Sequence, residues 1–124
     1  MKYNGKDVTL TKNHNNASIK VHILPEKEMR KIGFTDYAKD RWYYSRLVCR
    51  DDISFNLTIP KENPNDWQID VLDEDFCQPY DYQRMIVNNS KNEVVSKVFE
   101  NVEKQMEYLS GCGVISGHEY GDYI

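Results

Sequence analysis

The chain has 124 residues, 40% of them hydrophobic and 29% charged, with a formal net charge of −4. That length closes one hydrophobic core and does not call for two, so residues 1–124 are read as one domain. Acidic and basic residues are interspersed, which argues against long-range attraction to nucleic acid or anionic membrane, and no apolar run approaches the ~20 residues that cross a bilayer.

The start, Met1-Lys2-Tyr3-Asn4-Gly5-Lys6-Asp7, lacks the apolar stretch of a secretion signal, so the expected location is cytoplasmic. Val8-Thr9-Leu10-Thr11 has the character of a short strand, and Lys12 to Asn16 carries the Asn-rich chemistry of a turn. Ala17, Ile19, Val21 and Ile23 then alternate with Ser18, Lys20 and His22, the period of a strand with one buried face. Pro25 has the fixed φ of a first helical residue and is followed by helix formers up to Lys31; Gly33 ends this short connector, whose apolar face is only Met29 and Ile32.

Arg41 to Cys49 and Ile53 to Ile59 are predicted as two strands joined at Arg50-Asp51-Asp52, because Ile53, Phe55, Leu57 and Ile59 alternate strictly with Ser54, Asn56 and Thr58. Pro60, Asn63, Pro64 and Asn65 interrupt the pattern before Trp67, Ile69 and Val71 resume it as a further strand. A short helix over 79–87 leads to a change of period at Ser90. From there to Ser110, Val94, Val95, Val98, Phe99, Val102, Met106 and Leu109 share one helical stripe, with Lys91, Glu100, Glu103, Lys104 and Glu107 largely opposite. Ser90-Lys91-Asn92-Glu93 matches a capping box, and Gly111 or Gly113 can supply the left-handed residue that closes the helix. Val114 and Ile115 are placed as a last extended segment, and 117–124 as a glycine-rich tail that either folds back on the helix or serves as a docking peptide through Tyr120 and Tyr123. The predicted class is α+β: a mostly antiparallel sheet of four or five short strands with a long C-terminal amphipathic helix packed on one face.

Few residues form a pattern that carries chemistry. Asp70, Asp73, Glu74 and Asp75 supply oxygen ligands of the kind that hold Mg²⁺ or Ca²⁺, but their spacing is not that of an EF-hand, and a solvated strand end accounts for them as well. Arg41, Trp42, Tyr44, Arg46 and Arg50 mix aromatic and basic residues on one strand, the composition of a base-stacking platform or of a protein-binding surface; core packing of the aromatics is the competing reading. Register decides between them. An even hairpin loop such as Asp51-Asp52 aligns Trp42, Tyr44 and Val48 with the Ile53 to Ile59 row, whereas an odd loop sets the arginines beside Ser54, Asn56 and Thr58. His14, His22 and His118 form no metal-binding spacing and are read as surface residues, and the odd, scattered Cys49, Cys77 and Cys112 exclude a disulfide framework or zinc knuckle. Cys77 or Cys112 beside His118 would be a thiol site, a weaker reading than a small buried cysteine. The glycosylation triplets at Asn16, Asn56 and Asn88 are read as chance matches in an Asn-rich chain.

The stretch from Pro25 to Tyr44, the run Val71-Leu72-Asp73-Glu74-Asp75-Phe76-Cys77-Gln78-Pro79-Tyr80-Asp81-Tyr82 and the closing Ser116-Gly117-His118-Glu119-Tyr120-Gly121 resemble small uncharacterised proteins of phages, prophages and mobile elements in low-GC Gram-positive bacteria. The resemblance implies an accessory role and assigns no residue a function. Acidic charge without a catalytic constellation favours a non-enzymatic protein that binds another protein through a sheet face, a sheet edge or its acidic surface, with a homodimer as one form of that partner. Nucleic-acid binding through the Arg41 to Arg50 strand is the second expectation. A metal-dependent hydrolase at Asp70 to Asp75 is the third, and no resident cofactor is expected.

Overall fold

A computed structural model of the chain describes residues 2–3, 6–7, 19–50, 52–88 and 91–120. In chain order the elements are strands β1 (Lys2–Tyr3), β2 (Lys6–Asp7) and β3 (Lys20–Val21), helix α1 (Glu26–Ile32), strands β4 (Arg41–Cys49) and β5 (Ile53–Pro60), a 3-10 turn at Pro64–Asp66, strands β6 (Gln68–Asp73) and β7 (Gln78–Pro79), helices α2 (Tyr82–Asn88) and α3 (Glu93–Cys112), and strand β8 (Ile115–Ser116). The strand and turn expected over 8–16 lie outside the described residues. Of the strand expected over 17–23, the regular part that is described is Lys20–Val21.

The central sheet has four antiparallel strands in the order β4-β5-β6-β7, a meander in which every neighbour in the sheet is also the neighbour in sequence. Two small antiparallel pairs, β1 with β2 and β3 with β8, stand apart from it. Alternation along β5 sends Ile53, Phe55, Leu57 and Ile59 to one face, where they meet Ile69 and Val71 of β6 and the buried stripe Val95, Val98, Phe99, Val102, Met106 and Leu109 of α3 in one cluster. The fold is therefore α+β, with the long helix layered on one face of the sheet.

The register of β4 comes from two deviations that cancel. Cys49 pairs with Ile53, so the connection is residues 50–52, an odd loop; without correction it would turn Trp42 and Tyr44 away from the apolar row. A bulge between Leu47 and Cys49 adds Val48 as an extra residue. Beyond it Arg46 pairs with Phe55, Tyr44 with Leu57 and Trp42 with Ile59, which delivers both aromatics to the core. The bulge also breaks strict alternation, so Val48 and Cys49 are both buried.

Helix α3 begins at Glu93. Its cap is Asn92, whose side-chain oxygen accepts from Val94 N and Val95 N at 3.0 and 3.1 Å, so the helix does not start from the capping box drawn at Ser90, a residue outside those described. At the other end Gly113 takes φ +87°, and Val114 N returns to Leu109 O at 3.1 Å, a left-handed closure that a side chain would strain. This turn aims Val114 and Ile115 back into the core and pairs Ile115 with Val21. Residues 117–120 then run back over α3, where the Tyr120 ring packs edge-on to Phe99 at 5.5 Å and its hydroxyl donates to Glu100. None of the described helices is long and apolar enough to cross a membrane.

Candidate functional site: the open face of the sheet

Because α3 covers one face of the sheet, the alternate residues of β4, β5 and β6 form a second face with no layer of described residues upon it. Cross-strand pairing arranges them in rows: Tyr43, Thr58 and Gln68; Ser45, Asn56 and Asp70; Leu47, Ser54, Leu72 and Pro79. A one-sided antiparallel sheet carries polar residues here, and the middle row has the short hydroxyl, amide and carboxylate side chains that bond to one another across strands.

Those side chains form one directed chain. Ser45 Oγ donates to Asn56 Oδ1 at 2.7 Å, Asn56 Nδ2 donates to Ser54 Oγ at 2.9 Å, and Ser54 Oγ donates to Glu74 Oε1 at 2.5 Å. Each donor is also an acceptor except at the ends, so the dipoles align toward the carboxylate and hold all four groups in fixed orientations. Gln68 Nε2 donates to Asp70 Oδ1 at 3.3 Å beside them. The face thus presents two carboxylates, Asp70 and Glu74. One row of the face is apolar at its flanks: Leu47 is 57% exposed and Leu72 is half-buried on either side of Ser54.

The residues expected to act together from β4 do not form one surface. Trp42 and Tyr44 are buried, so neither offers a ring face for base stacking. Trp42 lies beneath Lys61 Nζ, 4.5 Å from the ring centre, and Arg30, 5.3 Å away, both of which bind Asp36. These two bridges pull the Asp36 carboxyl below its ordinary range, Lys61 contributing most. Tyr44 packs on Phe34 and Phe55 and donates to Gln105 Oε1 at 2.5 Å; burial raises its phenol above the ordinary value. Arg41 pairs with Asp40, which raises the guanidinium and lowers the carboxyl. Arg46 lies 4.4 Å over the Tyr44 ring, and Arg50 sits beside Asp52 at the hairpin tip with φ +51°. Arg41 and Arg50 therefore stand at opposite ends of the strand, each with a carboxylate of its own.

The acidic stretch is likewise divided. Asp73 Oδ1 accepts from Asp75 N and Phe76 N at 3.1 and 3.3 Å and so closes the β6–β7 turn, Glu74 ends the chain from Ser45, and Asp70 faces Gln68. Among the described residues no three His, Cys, Asp or Glu side chains gather where they could hold a metal ion.

Two residues read as surface groups are inside. Glu103, assigned to the polar side of α3, and His118, assigned to the surface, are 4% and 5% exposed, with His118 Nε2 at 2.9 Å from Glu103 Oε2. Burial of this pair follows from the returning segment 117–120, which covers the part of α3 that would otherwise be wet. Only the position of Glu103 beside Val102 and Phe99 on the helix hinted at it. His118 is thereby committed to Glu103, while Cys77 Sγ points to the Glu74 carbonyl at 3.6 Å and Cys49 is buried under the sheet.

A groove of about 580 Å³ runs between β3, α1 and the end of β5, lined by Val21, His22, Leu24, Glu26, Trp42 and Lys61. Its lysine is paired with Asp36 and its Glu26 with Arg30, so neither charge is left to define a ligand class. Compared with protein-family models, curated proteins and solved structures, the chain matches none.

Proposed function

We propose that this chain is an accessory, non-enzymatic binding domain, encoded by a phage or mobile element and working in the cytoplasm, whose open sheet face docks a basic surface of another protein. The observation that supports this reading is the directed hydrogen-bond chain from exposed Ser45 through Asn56 and buried Ser54 to exposed Glu74, bordered by exposed Leu47. Preorganised polar groups with an apolar margin are what a specific protein contact uses, since little side-chain entropy remains to be lost on binding. Charge selects the partner: Asp70 and Glu74 attract Lys and Arg and repel phosphates. The same two carboxylates disfavour a second copy on this face, because a two-fold contact would bring four carboxylates into one interface.

A photoreactive residue in place of Leu47, with a second version carrying it in place of exposed Lys97 on α3, tests the reading in the native host. Under this reading the first version yields one discrete protein adduct and the second does not. The captured protein, purified, then binds the wild-type chain with an affinity that falls as salt rises and is lost on Asp70→Lys with the fold retained. Equal labelling from both positions, an adduct to single-stranded nucleic acid, or purified partner binding that Asp70→Lys leaves intact would refute it.

A further inference from the structure

The polarity of the hydrogen-bond chain that ends on Glu74 is set by two backbone carbonyls. Asn56 Nδ2 faces Ser54 O at 3.4 Å and Asp70 O at 3.3 Å, and a carbonyl oxygen only accepts, so the amide nitrogen and not its oxygen must stand there. The other directions follow from that one. Asn56 Oδ1 is turned to Ser45, whose hydroxyl therefore donates; Asn56 Nδ2 donates to Ser54 Oγ, and the hydrogen of Ser54 is left for Glu74. A chain running the opposite way would set the Asn56 oxygen against both carbonyls.

This polarity leaves an unequal surface. Every side-chain donor hydrogen of Ser45, Asn56 and Ser54 is spent inside the chain, whereas Glu74 Oε2 and Asp70 Oδ2 take no hydrogen bond from a described residue. What the face still offers around Asn56 and Ser54 is acceptors and negative charge. Leu47 and Leu72 lie on either side of Ser54 and add an apolar strip beside Glu74. A partner's amide or hydroxyl brings acceptors as well as donors, and an ammonium is a compact, strongly hydrated charge that gains little from an apolar strip. A guanidinium has five N–H donors, no acceptor, weak hydration and a flat face that stacks. We infer that the Glu74 end of the open face is a seat for an arginine side chain, its N–H edge taken by Glu74 and its plane and stem laid along Leu47 and Leu72, given that this face is the docking surface proposed above. Asp70, across from Asn56, adds a second acceptor and favours the same charge.

Magnetic resonance titration of the full, isotope-labelled chain tests the seat with two defined probes, N-acetyl-arginine methylamide and N-acetyl-lysine methylamide, at equal ionic strength. The arginine probe shifts the amide signals of Leu47, Ser54, Asn56 and Glu74 along a saturating curve and binds about fivefold more tightly than the lysine probe, the worth of one further hydrogen bond. Ser54→Ala keeps both carboxylates and the net charge but frees Glu74 from its fixed orientation; it removes the preference for arginine, which attraction by charge alone would leave in place. Glu74→Gln, at an exposed position, removes the preference too and serves should Ser54→Ala not fold. Equal binding of the two probes, shifts that map elsewhere on the chain, or a preference that folded Ser54→Ala retains would overturn the seat. A captured partner that still docks on this face after its arginines are changed to lysine also overturns it and leaves the docking reading standing. Arginine preference without any adduct at Leu47 upholds the seat and removes the docking reading.

Discussion

Replacing His118 by alanine removes the imidazole that faces the buried Glu103 side chain at 2.9 Å. Both side chains are almost wholly buried, so water cannot take over. Breaking one side of such a pair typically costs about 3 kcal/mol or somewhat more, whereas exchanging both members for apolar residues of similar size is about neutral. For 124 residues the unfolding entropy near the midpoint is about 0.26 kcal/mol/K, so a loss of about 3 kcal/mol lowers Tm by about 12 °C. Thermal unfolding followed by far-ultraviolet circular dichroism at neutral pH reads this directly. His118→Ala melts about 12 °C below wild type, and Glu103→Leu/His118→Leu melts close to it, a strongly non-additive cycle. Were His118→Ala to melt within about 4 °C of wild type, or the two single losses simply to add, the pair would not be the buried, coupled contact that its geometry describes.

Gly33 takes φ +123°, and a Cβ there would stand 2.1 Å from Arg46 Nη2; Gly33→Ala is therefore destabilising by about 1–3 kcal/mol in chemical denaturation, and Arg46→Ala recovers only the steric share. Asn92→Ala removes the acceptor for Val94 N and Val95 N and costs about 1 kcal/mol by the same assay. Asp36 is held below its ordinary carboxyl value of 3.8 by Lys61 and Arg30, so its contribution is complete above that value and is lost as pH falls through the lower, folded-state value. Asp36→Asn accordingly lowers stability at neutral pH and flattens the acid limb of a pH titration of Tm; an acid limb unchanged from wild type would remove these bridges from the account. Leu57→Ala, at a fully buried site in the middle of β5, loses about 2–5 kcal/mol in denaturant unfolding.

Local chemistry is legible in the residues themselves. Ile53 to Ile59 alternate because a strand sends successive side chains to opposite faces, and the Val94 to Leu109 stripe repeats because a helix returns to the same face every three or four residues. Pro25 and Gly33 bound α1, and Gly113 closes α3, by backbone preferences that need no distant partner. The open face was equally present in outline, since Ser54, Asn56 and Thr58 must oppose whatever face Phe55 and Leu57 bury. What could not be read was which residues of other strands would join them.

Those outcomes depend on energy shared between segments far apart in the chain. The 50–52 loop is odd, and nothing local to Val48 announces the bulge that compensates; it forms because only that register buries Trp42 and Tyr44 against Ile59 and Leu57. Glu103 is an ordinary polar helix residue until the chain after Gly113 turns back and sets His118 upon it. The identity of β4, β5, β6 and α3 thus followed from side-chain periodicity and turn chemistry, whereas the two-residue strands β1, β2 and β7 did not, Gln78–Pro79 pairing with β6 where a helix was expected to begin. Register, the partner of each buried charge and the face left open were decided by the tertiary structure, because each is a competition between alternative pairings whose free energies exist only when both partners are in place.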